Sequence, residues 1–126
     1  MSLRVAIAVI INNKNQILIS KRSTEQHQGN KWEFPGGKVE EGETSQEALR
    51  RELKEELGIK IKSATFFMDI VHQYKDKKVC LDIYEVRDWS GETQGLEDQP
   101  IQWIERVELK NYEFPAANAE LLIKLA

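Results

Sequence analysis

The chain has 126 residues, 40% hydrophobic and 31% charged, a composition typical of one globular domain spanning residues 1–126. A formal net charge of −3 provides no basic field, which argues against a nucleic-acid polymer as partner. A single cysteine, Cys80, excludes an internal disulfide, and no apolar run approaches the roughly 20 residues of a membrane span. We therefore expect a cytoplasmic monomer with no membrane partner.

The N-terminal part of the chain begins with two predicted strands. Residues 4–12 are rich in β-branched residues and apolar on both faces, which predicts a central strand. A polar turn then leads into a second strand at 16–22, and the two are expected to form a hairpin. Polar residues 23–31 and the following WEFPGGKVEEGE, interrupted by proline and glycine, are predicted to be loop.

The next element is a helix with clear ends. Thr44 and Glu47 give the T-x-x-E pattern of a capping box, and Gly58 supplies the usual left-handed stop. Leucines recur every fourth residue between these ends, which predicts one buried stripe along the helix. The stripe consists of Leu49, Leu53 and Leu57.

The C-terminal part is predicted to contain a second hairpin, formed by residues 64–74 and 78–86. A loop of about fourteen residues follows at 87–100, and loops of this length are often functional. Residues 101–104 are a predicted short strand, and 115–126 a predicted helix. Because strands and helices mix without strict alternation, we predict an α+β fold with a mixed β-sheet between helices.

Three glutamates of the predicted helix, Glu52, Glu55 and Glu56, share an arc of roughly 100° beside the leucine stripe. Their carboxylates repel one another, so the arc is either a solvated acidic face or a site for a cation. Mg²⁺ prefers carboxylate oxygens and also binds waters and substrate phosphates. The glycine turn at Gly37, whose carbonyl can turn inward, favours the metal site.

The spacing of these residues resembles the signature of the Nudix hydrolase family, G-x5-E-x7-R-E-U-x-E-E-x-G-U with U aliphatic. All nine specified positions match: Gly37, Glu43, Arg51, Glu52, Leu53, Glu55, Glu56, Gly58 and Ile59. The segments EFPGG, SKR and FPAAN, and a glutamate in the late loop, extend the likeness to the MutT branch over essentially the whole chain. The resemblance implies a Nudix α/β/α sandwich that hydrolyses a small nucleotide, 8-oxo-dGTP, to the monophosphate and pyrophosphate.

The same resemblance implies a divalent ion, Mg²⁺ with Mn²⁺ as the alternative, and a set of residues around it. The ion would be held by the Gly37 carbonyl and the carboxylates of Glu52, Glu55 and Glu56. The general base would be Glu52 or Glu97, and Glu97 is alternatively a further metal ligand. Arg51 would orient the glutamates, and Glu43 would anchor Arg51.

Residues outside the signature would bind the substrate. The resemblance implies that Asn118 pairs with the base, that Phe34 lines the base site and that Arg22 contacts phosphate. The structural alternatives are a helix cap for Asn118 and a core position for Phe34. The strand CLDIYEV carries only Tyr84 as an aromatic residue, where MutT proteins carry several. A pyrimidine pyrophosphohydrolase acting on CTP or 5-methyl-dCTP is therefore the second candidate, and a non-catalytic nucleotide-binding module the third.

Overall fold

The computed structural model describes residues 2–22 and 30–126, so most of the predicted loop at 23–31 lies outside the described residues. The strands are β1 (Ser2–Ile10), β2 (Ile17–Lys21), β3 (Trp32–Glu33), β4 (Gly36–Lys38), β5 (Lys60–Gln73), β6 (Lys78–Ser90) and β7 (Ile101–Ile104). The helices are α1 (Ser45–Leu57) and α2 (Ala119–Leu125), with 3₁₀ helices at Arg106–Asn111 and Ala116–Asn118. Within these described ranges, no helix is long and apolar enough to cross a membrane.

The strands form two sheets. The larger sheet has the order β4-β1-β6-β5, in which β1 runs parallel to β6 and antiparallel to β4. The smaller sheet is antiparallel, with β2 between β3 and β7. The mixed sheet and its accompanying helices confirm the predicted fold class.

Strand β1 separates two apolar cores, because its side chains alternate between the two faces of the mixed sheet. Ala6, Ala8 and Ile10 pack with the leucine stripe of α1, and all three stripe leucines are fully buried. Ile7 and Val9 face the opposite core, which includes residues of α2. Burying one leucine contributes roughly 1.5–3 kcal/mol, so the stripe fixes the rotation of α1 and with it the direction of the acidic arc.

The predicted hairpin of the first two strands is wrong. They meet at one isolated bridge, Ile11 to Ile17, and β2 pairs with β3 and β7 in the smaller sheet. A strand has only two edges, and β4 and β6 occupy both edges of β1. The second hairpin is confirmed, since β5 and β6 pair directly from Gln73 and Lys78 onward.

The ends of α1 are as predicted, whereas several strand ends differ. The Thr44 and Glu47 capping box is present, and Gly58 takes a left-handed φ of 73°. Strand β6 continues to Ser90 and shortens the predicted late loop, and the WEFPGG segment contains the short strands β3 and β4. The C-terminal α-helix begins only at Ala119, after a 3₁₀ turn.

Candidate active site

A cleft of about 870 Å³ contains most of the residues predicted for the site. Of those residues, the cleft is lined by Arg22, Phe34, Gly37, Glu52, Glu56, Glu97 and Asn118. Glu43, Arg51 and Glu55 are not among the residues that line it. The fold thus brings together side chains that are up to 96 residues apart in the chain, the separation of Arg22 and Asn118 (118 − 22).

Gly37 is in contact with the acidic helix. A Cβ atom at Gly37 would lie 1.9 Å from Oε2 of Glu52, a distance that no side chain tolerates. The preceding Gly36 has a φ of 152°, and a Cβ there would lie 2.1 Å from the Ala6 carbonyl oxygen. The two glycines therefore let β4 pack closely on β1 and place the Glu52 carboxylate directly against the backbone of Gly37.

Arg51 ties the loop before α1 to the helix. Its Nε and Nη2 donate to the two carboxylate oxygens of Glu43 at 2.7 and 2.9 Å, the pairing expected from the sequence. Nη2 also donates to the Lys38 carbonyl at 3.0 Å, and Nη1 to Glu52 at 3.2 Å. The bond from Arg51, with one from the Glu40 backbone, lowers the pKa of Glu43 to about 2. This bidentate pair positions Glu52 from behind without entering the cleft.

Burial raises the pKa of two acids inside the cleft, Glu52 and Glu56, and neighbouring carboxylates add to the effect. Burial raises the pKa of Glu56 to about 9, and Glu33, Glu52 and Glu97 add to the effect, while a hydrogen bond from the Gly36 backbone opposes it. Burial also raises the pKa of Glu52, against the lowering effect of Arg51. Placing several carboxylates in one partly dry cleft is costly without a nearby positive charge.

The donor set suits a hard divalent cation, although it is not assembled into a ready coordination shell. Across residues 2–22 and 30–126, no three acidic, histidine or cysteine side chains are grouped closely enough to hold a metal ion. Glu55 in particular is 54% exposed, with Oε2 at 3.7 Å from Nη1 of Arg51. Carboxylate oxygens are the ligands that Mg²⁺ prefers, and its positive charge would offset the repulsion between these carboxylates.

The late loop is fastened to the end of α1 by hydrogen bonds that the sequence did not reveal. The backbone N–H of Leu96 donates to the Glu56 carbonyl at 2.9 Å. The side chain of Gln99 donates to the same carbonyl at 3.1 Å and accepts the N–H of Glu97 at 2.9 Å. Gln99 thus bridges the backbone of Glu97 and the backbone of Glu56 and holds the two residues close together. In the sequence, the only indication of this role was that Gln99 has an amide side chain and lies two residues after Glu97.

Glu33 is a second residue that the sequence reasoning missed. Nη1 of Arg22 donates to Glu33 in an ion pair on the cleft wall. Burial raises the pKa of Glu33, and Arg22 lowers it. The signal available was its place in EFPGG beside Phe34, but its partner follows only from the pairing of β2 with β3.

The same cleft is also lined by apolar side chains and by Asn118. This residue is 7% exposed, and its side chain makes no capping hydrogen bond to α2, so the helix-cap alternative is wrong. Its Nδ2 donates to the Pro115 carbonyl at a long 3.4 Å. Phe34 belongs to the core and also lines the cleft, and its ring stacks on Phe114 with centroids 5.1 Å apart.

Strand β6 contributes aliphatic rather than aromatic side chains to the lining of the cleft. Val79 and Leu81 line it. Tyr84 belongs to the opposite core, where its hydroxyl is hydrogen-bonded to Ser45. The aromatic residue noted in CLDIYEV therefore lies on the other side of the sheet from the cleft.

A helix with an acidic edge, a glycine turn against it and a cleft that also has apolar walls are suited to the hydrolysis of phosphate anhydrides with a divalent cation. A family profile described as NUDIX domain matches residues 6–124. The chain belongs to the Nudix hydrolase family, whose members generally use a divalent metal ion.

Individual relatives are similar over nearly the whole chain. The 8-oxo-dGTP diphosphatase of Escherichia coli K12 is 40% identical over 98% of this chain and 95% of its own length. The CTP pyrophosphohydrolase of the same organism is 34% identical over 92% of this chain and 86% of its own. A solved structure from work on MutT of Aliivibrio salmonicida and Vibrio cholerae has a TM-score of 0.86. It is 32% identical and covers 99% of this chain and 97% of its own.

Proposed function

We propose that this single domain is an Mg²⁺-dependent pyrophosphohydrolase that converts 8-oxo-dGTP to its monophosphate and pyrophosphate. Such an activity removes an oxidised nucleotide before replication incorporates it. The observation that carries the proposal is one cleft with two unlike sets of lining residues. Glu52, Glu56 and Glu97 with Gly37 form the acidic set, and Asn118 with apolar side chains such as Phe34 forms the other. In this proposal the two sets are the acidic end and the apolar end of the cleft. The similarity to the E. coli 8-oxo-dGTP diphosphatase supports the same choice of substrate.

The acidic end would hold the ion. Glu52, Glu56 and Glu97 with the Gly37 carbonyl are the proposed ligands, and Glu55 is a further ligand proposed from its place in the signature. When bound, Mg²⁺ would neutralise phosphate charge and orient water for attack on phosphorus. Arg51, held by Glu43, keeps the Glu52 carboxylate against the glycine turn. These two residues therefore act on the reaction by positioning Glu52.

Glu52 is our first choice for the general base. Burial raises its pKa, which brings the carboxylate closer to the range in which a base accepts a proton at neutral pH. The hydrogen bond from Arg51 leaves one carboxylate oxygen free of that contact. Glu97 is the alternative, because it lines the same cleft and lies close enough to Glu52 to contribute to its raised pKa. Arg22, oriented by Glu33, is the proposed phosphate contact.

The apolar end would hold the base. The Asn118 carboxamide offers both a donor and an acceptor, and in the described part of the chain its only hydrogen bond is the long one through Nδ2. One such bidentate contact to a purine edge discriminates between bases by roughly 1–3 kcal/mol. Phe34 is the proposed apolar surface against the ring.

A pyrimidine substrate is the second candidate function. The aliphatic Val79 and Leu81 on the cleft wall, and the similarity to the CTP pyrophosphohydrolase of E. coli, are the observations that favour it. A non-catalytic nucleotide-binding module is the third candidate, and the presence of Glu52, Glu55 and Glu56 argues against it.

Hydrolysis of a nucleotide panel separates the three candidates. The panel contains 8-oxo-dGTP, dGTP, the other dNTPs, CTP and 5-methyl-dCTP, each with Mg²⁺, and products are resolved by ion-exchange chromatography. We expect the highest kcat/KM for 8-oxo-dGTP, with pyrophosphate as the co-product. A higher value for CTP or 5-methyl-dCTP would favour the pyrimidine enzyme. Nucleotide binding with no turnover would favour the binding module.

A further inference from the structure

Tyr74 lies at the turn between β5 and β6, on the wall of the cleft, and is held from two sides. Its backbone N–H donates to the Lys77 carbonyl at 2.7 Å, which closes the turn. The ring of His72 packs edge-on against the Tyr74 ring, with centroids 4.6 Å apart. Because both the backbone and the ring of Tyr74 are held, its hydroxyl has a defined direction.

The hydroxyl of Tyr74 is bonded to a distant segment of the chain. Its oxygen accepts the backbone N–H of Ala117 at 2.9 Å. Ala117 is 5% exposed and lies in the 3₁₀ helix Ala116–Asn118, whose first N–H groups have no acceptor within the helix. Pro115, which precedes this helix, provides no side-chain cap. Tyr74 therefore supplies from another element the cap that the local sequence lacks.

The direction of the Asn118 side chain depends on the same turn. The backbone N–H of Asn118 donates to the Pro115 carbonyl at 3.0 Å, a well-formed hydrogen bond. The carboxamide reaches that carbonyl only at 3.4 Å, which is long for a hydrogen bond. The backbone of the turn, more than any contact of the carboxamide itself, thus determines where Asn118 points.

We infer that Tyr74 is a positioning residue whose hydroxyl fixes the 3₁₀ turn and thereby aims the Asn118 carboxamide into the cleft. This inference rests on the proposed function, in which Asn118 contacts the base. Phenylalanine at position 74 would preserve the ring and its packing but leave the buried N–H of Ala117 without an acceptor. The turn would then sample other arrangements, and base selection would weaken while the acidic end of the cleft stayed unchanged.

The first test compares Tyr74→Phe with Tyr84→Phe. The control removes a hydroxyl that bonds Ser45 in the opposite core, away from the cleft. Tyr74→Phe should raise KM for 8-oxo-dGTP about five- to twenty-fold and reduce the preference over dGTP, the size expected for one orphaned buried donor. Its kcat and the Mg²⁺ concentration for half-maximal rate should stay within about twofold. Tyr84→Phe should leave all of these values unchanged. Unaltered base preference in Tyr74→Phe would overturn the inference.

The second test is a double-mutant cycle with amide exchange as an independent readout. If Tyr74 acts through Asn118, Tyr74→Phe combined with Asn118→Ala should have the same KM as Asn118→Ala alone. A multiplicative increase would mean that Tyr74 acts separately, which overturns the inference. NMR should show faster exchange of the Ala117 amide in Tyr74→Phe. A wild-type protein that hydrolyses no nucleotide would refute the proposed function instead. In that case the exchange rate of the Ala117 amide alone tests whether the Tyr74 hydroxyl fixes the 3₁₀ turn. An exchange rate in Tyr74→Phe equal to that of the wild type would refute that part of the inference.

Discussion

Protons should compete with divalent ions for Glu56. The pKa of Glu56 is raised to about 9 in the metal-free protein, first by burial and then by Glu33, Glu52 and Glu97. At pH 7 a carboxyl group with that pKa is about 99% protonated. It must lose this proton before it can bind a metal ion, because only the carboxylate form is a ligand. Binding of an ion at pH 7 should therefore release nearly one proton from this residue.

The size of this competition follows from the two pH units that separate pH 7 from the pKa of Glu56. The apparent Kd for the ion should fall about tenfold per unit between pH 7 and 8 and level off above pH 9. The total change is about 100-fold, which corresponds to about 2.7 kcal/mol. The raised pKa also determines how the stability of the metal-free fold changes with pH. A raised carboxyl pKa stabilises the metal-free fold fully below pH 4.5, and that contribution is lost as pH rises through about 9.

Isothermal titration calorimetry with Mn²⁺ measures both the proton release and the pH dependence of the Kd. Titrations at pH 7 in two buffers of different ionisation enthalpy give the number of protons released, and a pH series gives the change in Kd. Glu56→Gln is the matched control, because its amide keeps the shape but has no proton to release. A wild-type Kd that stays constant from pH 7 to 9, with no proton release, would refute the proposed competition.

Three substitutions test the roles of neighbouring residues. Glu52→Gln should lower kcat about 10²–10⁴-fold with the fold intact by circular dichroism, and near-normal turnover at saturating Mg²⁺ would exclude Glu52 as the base. Glu43→Ala removes the anchor of Arg51, so the Mg²⁺ midpoint of activity should rise while the maximal rate is spared. An unchanged midpoint with a collapsed maximum would instead place Glu43 in the chemistry. Gly37→Ala puts a Cβ 1.9 Å from Glu52 Oε2, and the forced displacement should reduce kcat at least about 100-fold. A rate within a few-fold of wild type would show that the contact is not needed.

The parts of the fold that could be predicted from sequence depend on neighbouring residues. The ends of α1 follow from Thr44, Glu47 and Gly58, and its buried face follows from leucines at a spacing of four. The β5–β6 hairpin is likewise a local element with a short polar turn. The position of β1 in the centre of a sheet was also correct, because its side chains are apolar on both faces.

The choice of strand partners was not predictable in the same way. Strand β2 is next to β1 in the sequence, but each residue of β1 pairs with a residue of β6 that lies 76 positions later in the chain, as Leu3 and Val79 do. No local pattern marks such a pairing. The short strands β3 and β4 were missed for a related reason, since each is a strand only because another strand, β2 for β3 and β1 for β4, supplies the hydrogen bonds.

The site was predictable as far as its spacing is fixed in the chain. The acids of α1 and the glycine turn follow from one motif, and the Glu43–Arg51 pair was expected from it and is present. Glu33, Gln99 and Tyr74 were not assigned roles, because the hydrogen-bond partner of each lies in a different part of the chain. Glu55 was expected with the other glutamates, yet its side chain is mostly exposed near Arg51.

The most direct test of a cleft with a metal end and a base end is a crystal structure with Mn²⁺ and 8-oxo-dGMP. We expect anomalous density for manganese with ligands from Glu52 and Glu56 beside Gly37. We also expect the oxidised base to lie against Phe34, with the Asn118 carboxamide on its edge. Manganese bound away from these carboxylates, or a base bound out of reach of Asn118, would contradict this arrangement.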